Sequence, residues 1–213
     1  QKYDYEKEIL HFRSEGTVVT TDSRKITFTL TLNAKREFIF SSNLELRLGD
    51  AAKDPLVINF NGVLPSFSEE KISFDIDLDG KEDLLPFLPF GSGFLALDVN
   101  GDGVINDGRE LFGPKTGNGF SELKEFDSDS NNWIDENDPI FEKLRIWTLD
   151  ESGNKVLFAL GEKGVGAIYL GNIFTLFNLK DEKNNHLGKI RSTGIFVKEN
   201  GAVGTVHHLD IVL

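Results

Sequence analysis

The chain of 213 residues contains no cysteine. That excludes disulfides, thiolate metal sites and cysteine nucleophiles, and it fits any compartment, including export by routes that do not rely on disulfides. Methionine is also missing and the chain begins at Gln1, so a fragment or processed form is expected and a missing signal peptide means little. No run of about 18 apolar residues occurs, so no transmembrane helix is expected. No basic stripe offers a phosphate footprint, which argues against a nucleic-acid partner. A phosphate loop is missing too, because "GSGF" and "GEKGVG" lack the lysine and the helix. Neither a HExxH motif nor a serine elbow is present, and His186, His207 and His208 read as ordinary surface residues.

Phenylalanine and acid are what the chain has in quantity. Eighteen Phe, with many Leu, Ile and Val, supply the core of one large domain or two small ones. The net charge is −12, and it is localised. From Asp75 to Asp138 there are 16 acidic residues against four basic ones, whereas the rest of the chain holds 19 of each and is neutral. Diffuse acidity would speak only to solubility. An excess packed into under a third of the chain points to work for the carboxylates.

Alternation marks both ends of the chain as strand. "GTVVTTDSRKITFTLTL" reads as a hairpin turning at Asp22-Ser23, and "REFIFSSNLELRLG" continues it. "YDYEKEIL" fits either strand or short helix. "AIYLG", "FTLFNL" and "LGKIRSTGIFVKENGAVGTVHHLDIVL" return to strand, broken by the turns "KDEKNNH" and "KENGA". Between them, "NGFSELKEF" spaces Phe120, Leu123 and Phe126 as a helix would, and Pro139 opens a second helix, "PIFEKLRIW". The expected fold class is therefore α+β: mainly antiparallel β with an inserted EF-hand-like calcium-binding segment carrying two or three short helices. Its expected divisions are a β region over 1–54, the acidic segment over 55–150 and a second β region over 151–213, packed with the first as one unit.

Three acidic stretches carry the chemistry. Calcium takes six to eight oxygens, and an EF-hand loop supplies them from side chains at positions 1, 3 and 5, a backbone carbonyl at 7 and a bidentate acid at 12. In the loop from Asp127, Asp129 and Asn131 hold positions 3 and 5, Trp133 gives the carbonyl, Ile134 is the apolar anchor at 8, and Asp138 closes at 12. Asn132 replaces the usual glycine, a mild change because Asn tolerates a left-handed backbone. In the loop from Asp98, Asn100, Asp102, Gly103, the Val104 carbonyl and Ile105 fall in place, but position 12 is Arg109. Glu110 follows one residue late and can close the site if Asp107-Gly108 lengthens the turn; Asp107 is a further candidate ligand. Asp, Asn and Gly also build plain surface turns. Such turns do not require alternating acids, an apolar position 8, and a second copy 29 residues on. The third stretch has Asp75, Asp77, Asp79 and Gly80, with Pro86 at its twelfth position, so that Asp83 or a distant residue would have to close it. "LDESGNK" at Asp150 is a weaker fourth. Two calcium ions are expected, with a third possible.

The run "DPLVINFNG", "FDIDLDG", "GSGFLALDVNGDGVINDGRELFG", "FDSDSNNWIDENDPIFEKLRIW" resembles a calcium-binding region of bacterial RTX and haemolysin-type exported proteins, over about Asp54 to Trp147. In that family an acid lies one place beyond the usual twelfth position, as Glu110 does here. The flanks resemble uncharacterised bacterial proteins carrying the same insert. The resemblance implies an extracellular or envelope setting in a bacterium. It also brings in self-processing modules that cleave an Asp-Pro bond when calcium folds the segment after it, a role that falls here on Asp54-Pro55. "NFNG" departs from the acid-rich "DLDG" usual there, and Asp138-Pro139 is better explained as a ligand followed by a helix start. The residues favour a non-enzymatic module stabilised by calcium, with an interaction role toward a protein or surface. The alternatives are self-cleavage at Asp54-Pro55 and a calcium sensor that exposes a binding surface.

Overall fold

A computed structural model describes residues 3–19, 23–41, 54–68 and 70–213. Strands β1 (Tyr3–Val19) and β2 (Lys25–Ser41) form a long hairpin, in register from Tyr3↔Ser41 to Val19↔Lys25. "YDYEKEIL" is thus strand. Ser23 takes the left-handed backbone a tight reversal needs, with φ of 64°; Asp22 and the sequence from Ser42 to Lys53 lie outside the described residues.

The main sheet is built from β3 (Leu56–Asn59), β6 (Ser92–Leu97), β7 (Trp133–Ile134), β8 (Leu144–Leu149), β9 (Lys155–Ala159), β10 (Val165–Lys180), β11 (His186–Lys198) and β12 (Val203–Ile211). Their order is β7-β10-β11-β12-β3-β6-β8-β9, antiparallel throughout. A separate pair, β4 (Lys71–Phe74) and β5 (Asp83–Pro86), caps one face. The central strands are covered on both sides, which is why "LVIN" and "GFLAL" read as continuous apolar runs instead of alternating. Val57, Phe94 and Trp147 point into a core shared with Phe74 and Phe87. Leu56, Ile58, Leu95 and Ile146 point into the opposite core, with Phe112, Phe120 and Leu123.

The expected fold class is corrected here. The described residues are mostly antiparallel sheet, with one six-residue helix, α1 (Gly119–Lys124), and three single-turn 3-10 segments at Gly108–Glu110, Phe141–Lys143 and Gly161–Lys163. No EF-hand-like helices flank the acidic loops among the described residues. The Asp98 loop enters from β6, and the Asp127 loop runs through Trp133 into β7. The second expected helix shrinks to one 3-10 turn, because "LRIWTL" pairs with β6 and β9 as β8. The acidic segment is no insert: β3, β6 and β8 sit inside the main sheet, and the β8–β9 hairpin crosses residue 150. The N-terminal hairpin docks on β10, where Glu8 accepts both the N–H and the side-chain amide of Asn178, each at 2.9 Å. Lys180 donates to Glu6 alongside Arg36.

Candidate metal centre and the Asp54-Pro55 junction

The three acidic loops share one pattern of hydrogen bonds. The position-1 carboxylate accepts the N–H of position 6: Gly103 to Asp98 at 2.8 Å, Asn132 to Asp127 at 3.0 Å, Gly80 to Asp75 at 3.1 Å. Position 3 accepts from position 5, and position 5 from position 7, in all three. These bonds turn each side chain toward the loop's centre. Asn132 has φ of 65°, so it meets the left-handed demand that Gly103 and Gly80 meet in the other loops.

The closing acids are matched as well. Asp138 accepts the N–H of Ser128, at position 2, and the N–H of Asp135, at position 9, at 2.7 and 3.1 Å. Glu110 accepts the N–H of Val99, at position 2, and of Asn106, at position 9, at 3.0 and 2.8 Å. Both are buried, at 5% exposure for Glu110 and 1% for Asp138. Glu110 therefore takes the place of the twelfth residue although it is the thirteenth. Arg109 points out to solvent and pairs with Asp107 at 2.6 Å, which lowers the Asp107 pKa. Asp107 caps the 3-10 turn instead of facing the loop centre. The apolar anchors Ile105 and Ile134 are buried.

Carboxylate oxygens gather most closely in two groups, Asp127 with Asp129 and Asp138, and Asp75 with Asp77 and Asp79, each within 4.8 Å. Such all-oxygen sets suit a hard cation. The acids of the Asp98 loop are not gathered so tightly; there the Asn100 amide donates to Asp102 and to Asn106. In the Asp75 loop, position 8 is Glu82, which accepts from Ser73, and position 12 is Pro86 in β5. It touches the Asp98 loop at Gly108, whose N–H donates to the Asp75 carbonyl at 2.9 Å. Asp150 is a hairpin turn, its carboxylate accepting the N–H groups of Ser152 and Asn154.

Between the two closed loops the chain runs directly over Asp54-Pro55. After Glu110, Leu111 and Phe112 lie along β6, and Phe112 accepts the Leu56 N–H at 2.8 Å. Gly113 then crosses the Asp54 carbonyl so closely that a Cβ would fall 1.9 Å from its oxygen. Glu122, on α1, accepts from the Gly113 and Thr116 N–H groups and from the Thr116 hydroxyl. Gly117 sits beside the Asp54 carboxylate, and α1 leads straight into the Asp127 loop.

The SPM domain family matches residues 56–212. The chain belongs to the SPM domain family. A shorter stretch is similar to the iron-regulated protein FrpA of Neisseria meningitidis serogroup C, 40% identical over 63 residues that make up 26% of this chain and 6% of that protein. The match thus spans a small part of the relative's length.

Just ahead of the matched SPM residues, Asp54 is surrounded by groups that no sequence motif marks. Asp54 is 6% exposed, and its Oδ2 pairs with Arg191 at 3.0 Å. His208 Nε2 lies 3.9 Å from the same oxygen and has no hydrogen-bond partner. Arg191 Nε lies 3.6 Å from Asp210 Oδ1, so one guanidinium reaches both carboxyls. Burial, then Asp54, pushes the Asp210 pKa up to about 7. Burial lowers the His208 pKa against the opposing pull of Asp54. His207 is not a surface residue either: it is fully buried between the Thr193 and Thr205 hydroxyls, and burial takes its pKa down to about 3. The available signal was "HHLD", which puts His208 and Asp210 on one face of a strand; their meeting with Asp54 is a matter of strand pairing.

Proposed function

We propose that this chain is a calcium-stabilised module that cleaves its own Asp54-Pro55 bond. One observation carries the reading: residues 111–126, strung between the Glu110-closed and Asp127 loops, pack over a buried Asp54 whose Oδ1 has no hydrogen-bond partner. Calcium supplies charge neutralisation. Without it, the clustered carboxylates repel, and a cation bound only by the folded loops stabilises them by linkage. Ordering the loops then seats Gly113 and Gly117 on Asp54. Two ions belong to the Asp98 and Asp127 loops, and the Asp75 cluster is the possible third.

The chain supplies its own nucleophile. An Asp54 carboxylate oxygen reaches its own main-chain carbonyl carbon through a five-membered ring, with the prolyl nitrogen as leaving group. Arg191 holds Oδ2 and leaves Oδ1 for attack. Millimolar extracellular calcium fills even weak sites, so the reading suits an exported or envelope protein of a bacterium. The similarity to a bacterial protein and the start of the family match at Leu56, just behind the bond, support it. A purely structural calcium module is the competing outcome. Purified chain is incubated with calcium or with chelator and weighed by mass spectrometry. The reading expects fragments 1–54 and 55–213 only with calcium, and none from Asp54→Asn. An intact chain in calcium, with a raised melting temperature, leaves the structural role alone.

A further inference from the structure

Breaking the Asp54-Pro55 bond needs more than a nucleophile. The prolyl nitrogen departs with an electron pair and must gain a proton, and the buried bond gives bulk water poor access. The donor must be an acid next to the scissile bond that still holds its proton when the nitrogen departs.

The sheet register brings one such group. Leu56 pairs with His208, and the Leu209 N–H donates to the Pro55 carbonyl at 3.1 Å. Carrying that antiparallel register two residues further sets Asp54 opposite Asp210. On the neighbouring strand the pairing slips between Ile190↔Leu209 and Ser192↔His208, which leaves Arg191 as a bulged residue. A bulge re-aims a side chain, and Arg191 spans both carboxyls from there. Asp54 Oδ1 and Asp210 Oδ1 are both buried without a donor. A proton kept on the Asp210 carboxyl relieves its repulsion with Asp54.

We propose that Asp210 is the general acid that protonates the departing Pro55 nitrogen, with Arg191 as the positioning residue that holds the Asp54 carboxylate by its Oδ2. The inference rests on the cleavage reading. Asp54 Oδ forms a bond to its own carbonyl carbon, the C–N bond breaks, and the Asp210 proton goes to the nitrogen. Water then opens the cyclic anhydride and returns a proton to the Asp210 carboxylate, so atoms and charge balance. The charged groups acting on Asp210 are Asp54, Arg191 and Lys189, while His208 stands against Asp54, with Glu122 beyond it. Burial lowers the His208 pKa.

Cleavage rates of the full chain are measured in saturating calcium from about pH 5.5 to about 9. The wild type should lose rate as pH rises through about 7, where Asp210 gives up its proton. Asp210→Asn should cut the rate roughly a hundredfold or more and lose that alkaline limb, while keeping the calcium-induced rise in melting temperature. Asp210→Glu should recover part of the rate. A wild-type rate that is flat or rises across this range overturns the assignment, even if the Asn variant fails to fold. So does wild-type cleavage by Asp210→Asn, or a hundredfold loss confined to His208→Asn. Intact wild type in calcium sinks the cleavage reading itself, a result distinct from all of these.

Discussion

The Asp98 and Asp127 loops differ in sequence where an EF-hand pattern is most demanding. One carries Arg109 at the twelfth position and an acid at the thirteenth, and the other closes on time with Asp138 but lacks the central glycine. In space each closing acid bridges the N–H groups of positions 2 and 9. The Asp75 loop shares the opening bonds of both but carries Glu82 at position 8 and Pro86 at position 12. Closure and anchoring are therefore what separate the pair that frames Asp54-Pro55 from a loop that merely adjoins it.

Removing calcium tests all three loops at once and should have the largest effect. Two sites filled at about a hundredfold above their dissociation constants contribute about 5 kcal/mol together, so chelator should lower the melting temperature strongly, as calorimetry would show. Next comes the link between loops and bond. Gly113→Ala drives a methyl into the Asp54 carbonyl; it should cost about 2 to 3 kcal/mol and stop cleavage. Calcium binding by the same protein, followed by titration calorimetry, should survive at one closed loop at least.

The closing acids follow. Glu110→Gln and Asp138→Asn should each raise the calcium needed for half-maximal stabilisation about tenfold, about 1.4 kcal/mol, with little change in chelator. Equal effects would sharpen the view that the thirteenth residue does the work of the twelfth. Asp77→Asn, in the loop without closure, should shift the calcium midpoint only a few-fold. Arg109→Ala should be smallest, within about 0.5 kcal/mol in melting experiments, because its ion pair with Asp107 is solvent-exposed. A large loss from Arg109→Ala would break the comparison.

The loops were legible because their requirements are local: alternating oxygens, a residue tolerant of positive φ, and an apolar eighth position. The terminal strands were legible from alternation, and α1 from the spacing of Phe120, Leu123 and Phe126. The EF-hand-like helices were an error of transfer, since loop geometry does not need them and "GFLAL" is a doubly buried strand. His208, Asp210 and Arg191 were not legible as a group, because pairing of β3 with β12 and a bulge in β11 bring them to Asp54 from the far end of the chain. Burial of His207 and His208 likewise follows from the sheet order.

One calcium titration, read in the same samples by melting temperature and by mass spectrometry, tests the coupling most directly. Fragments 1–54 and 55–213 should appear over the calcium range that raises stability, and Glu110→Gln should move both curves together. Cleavage that ignores calcium, or stabilisation by calcium with the chain left whole, would contradict it.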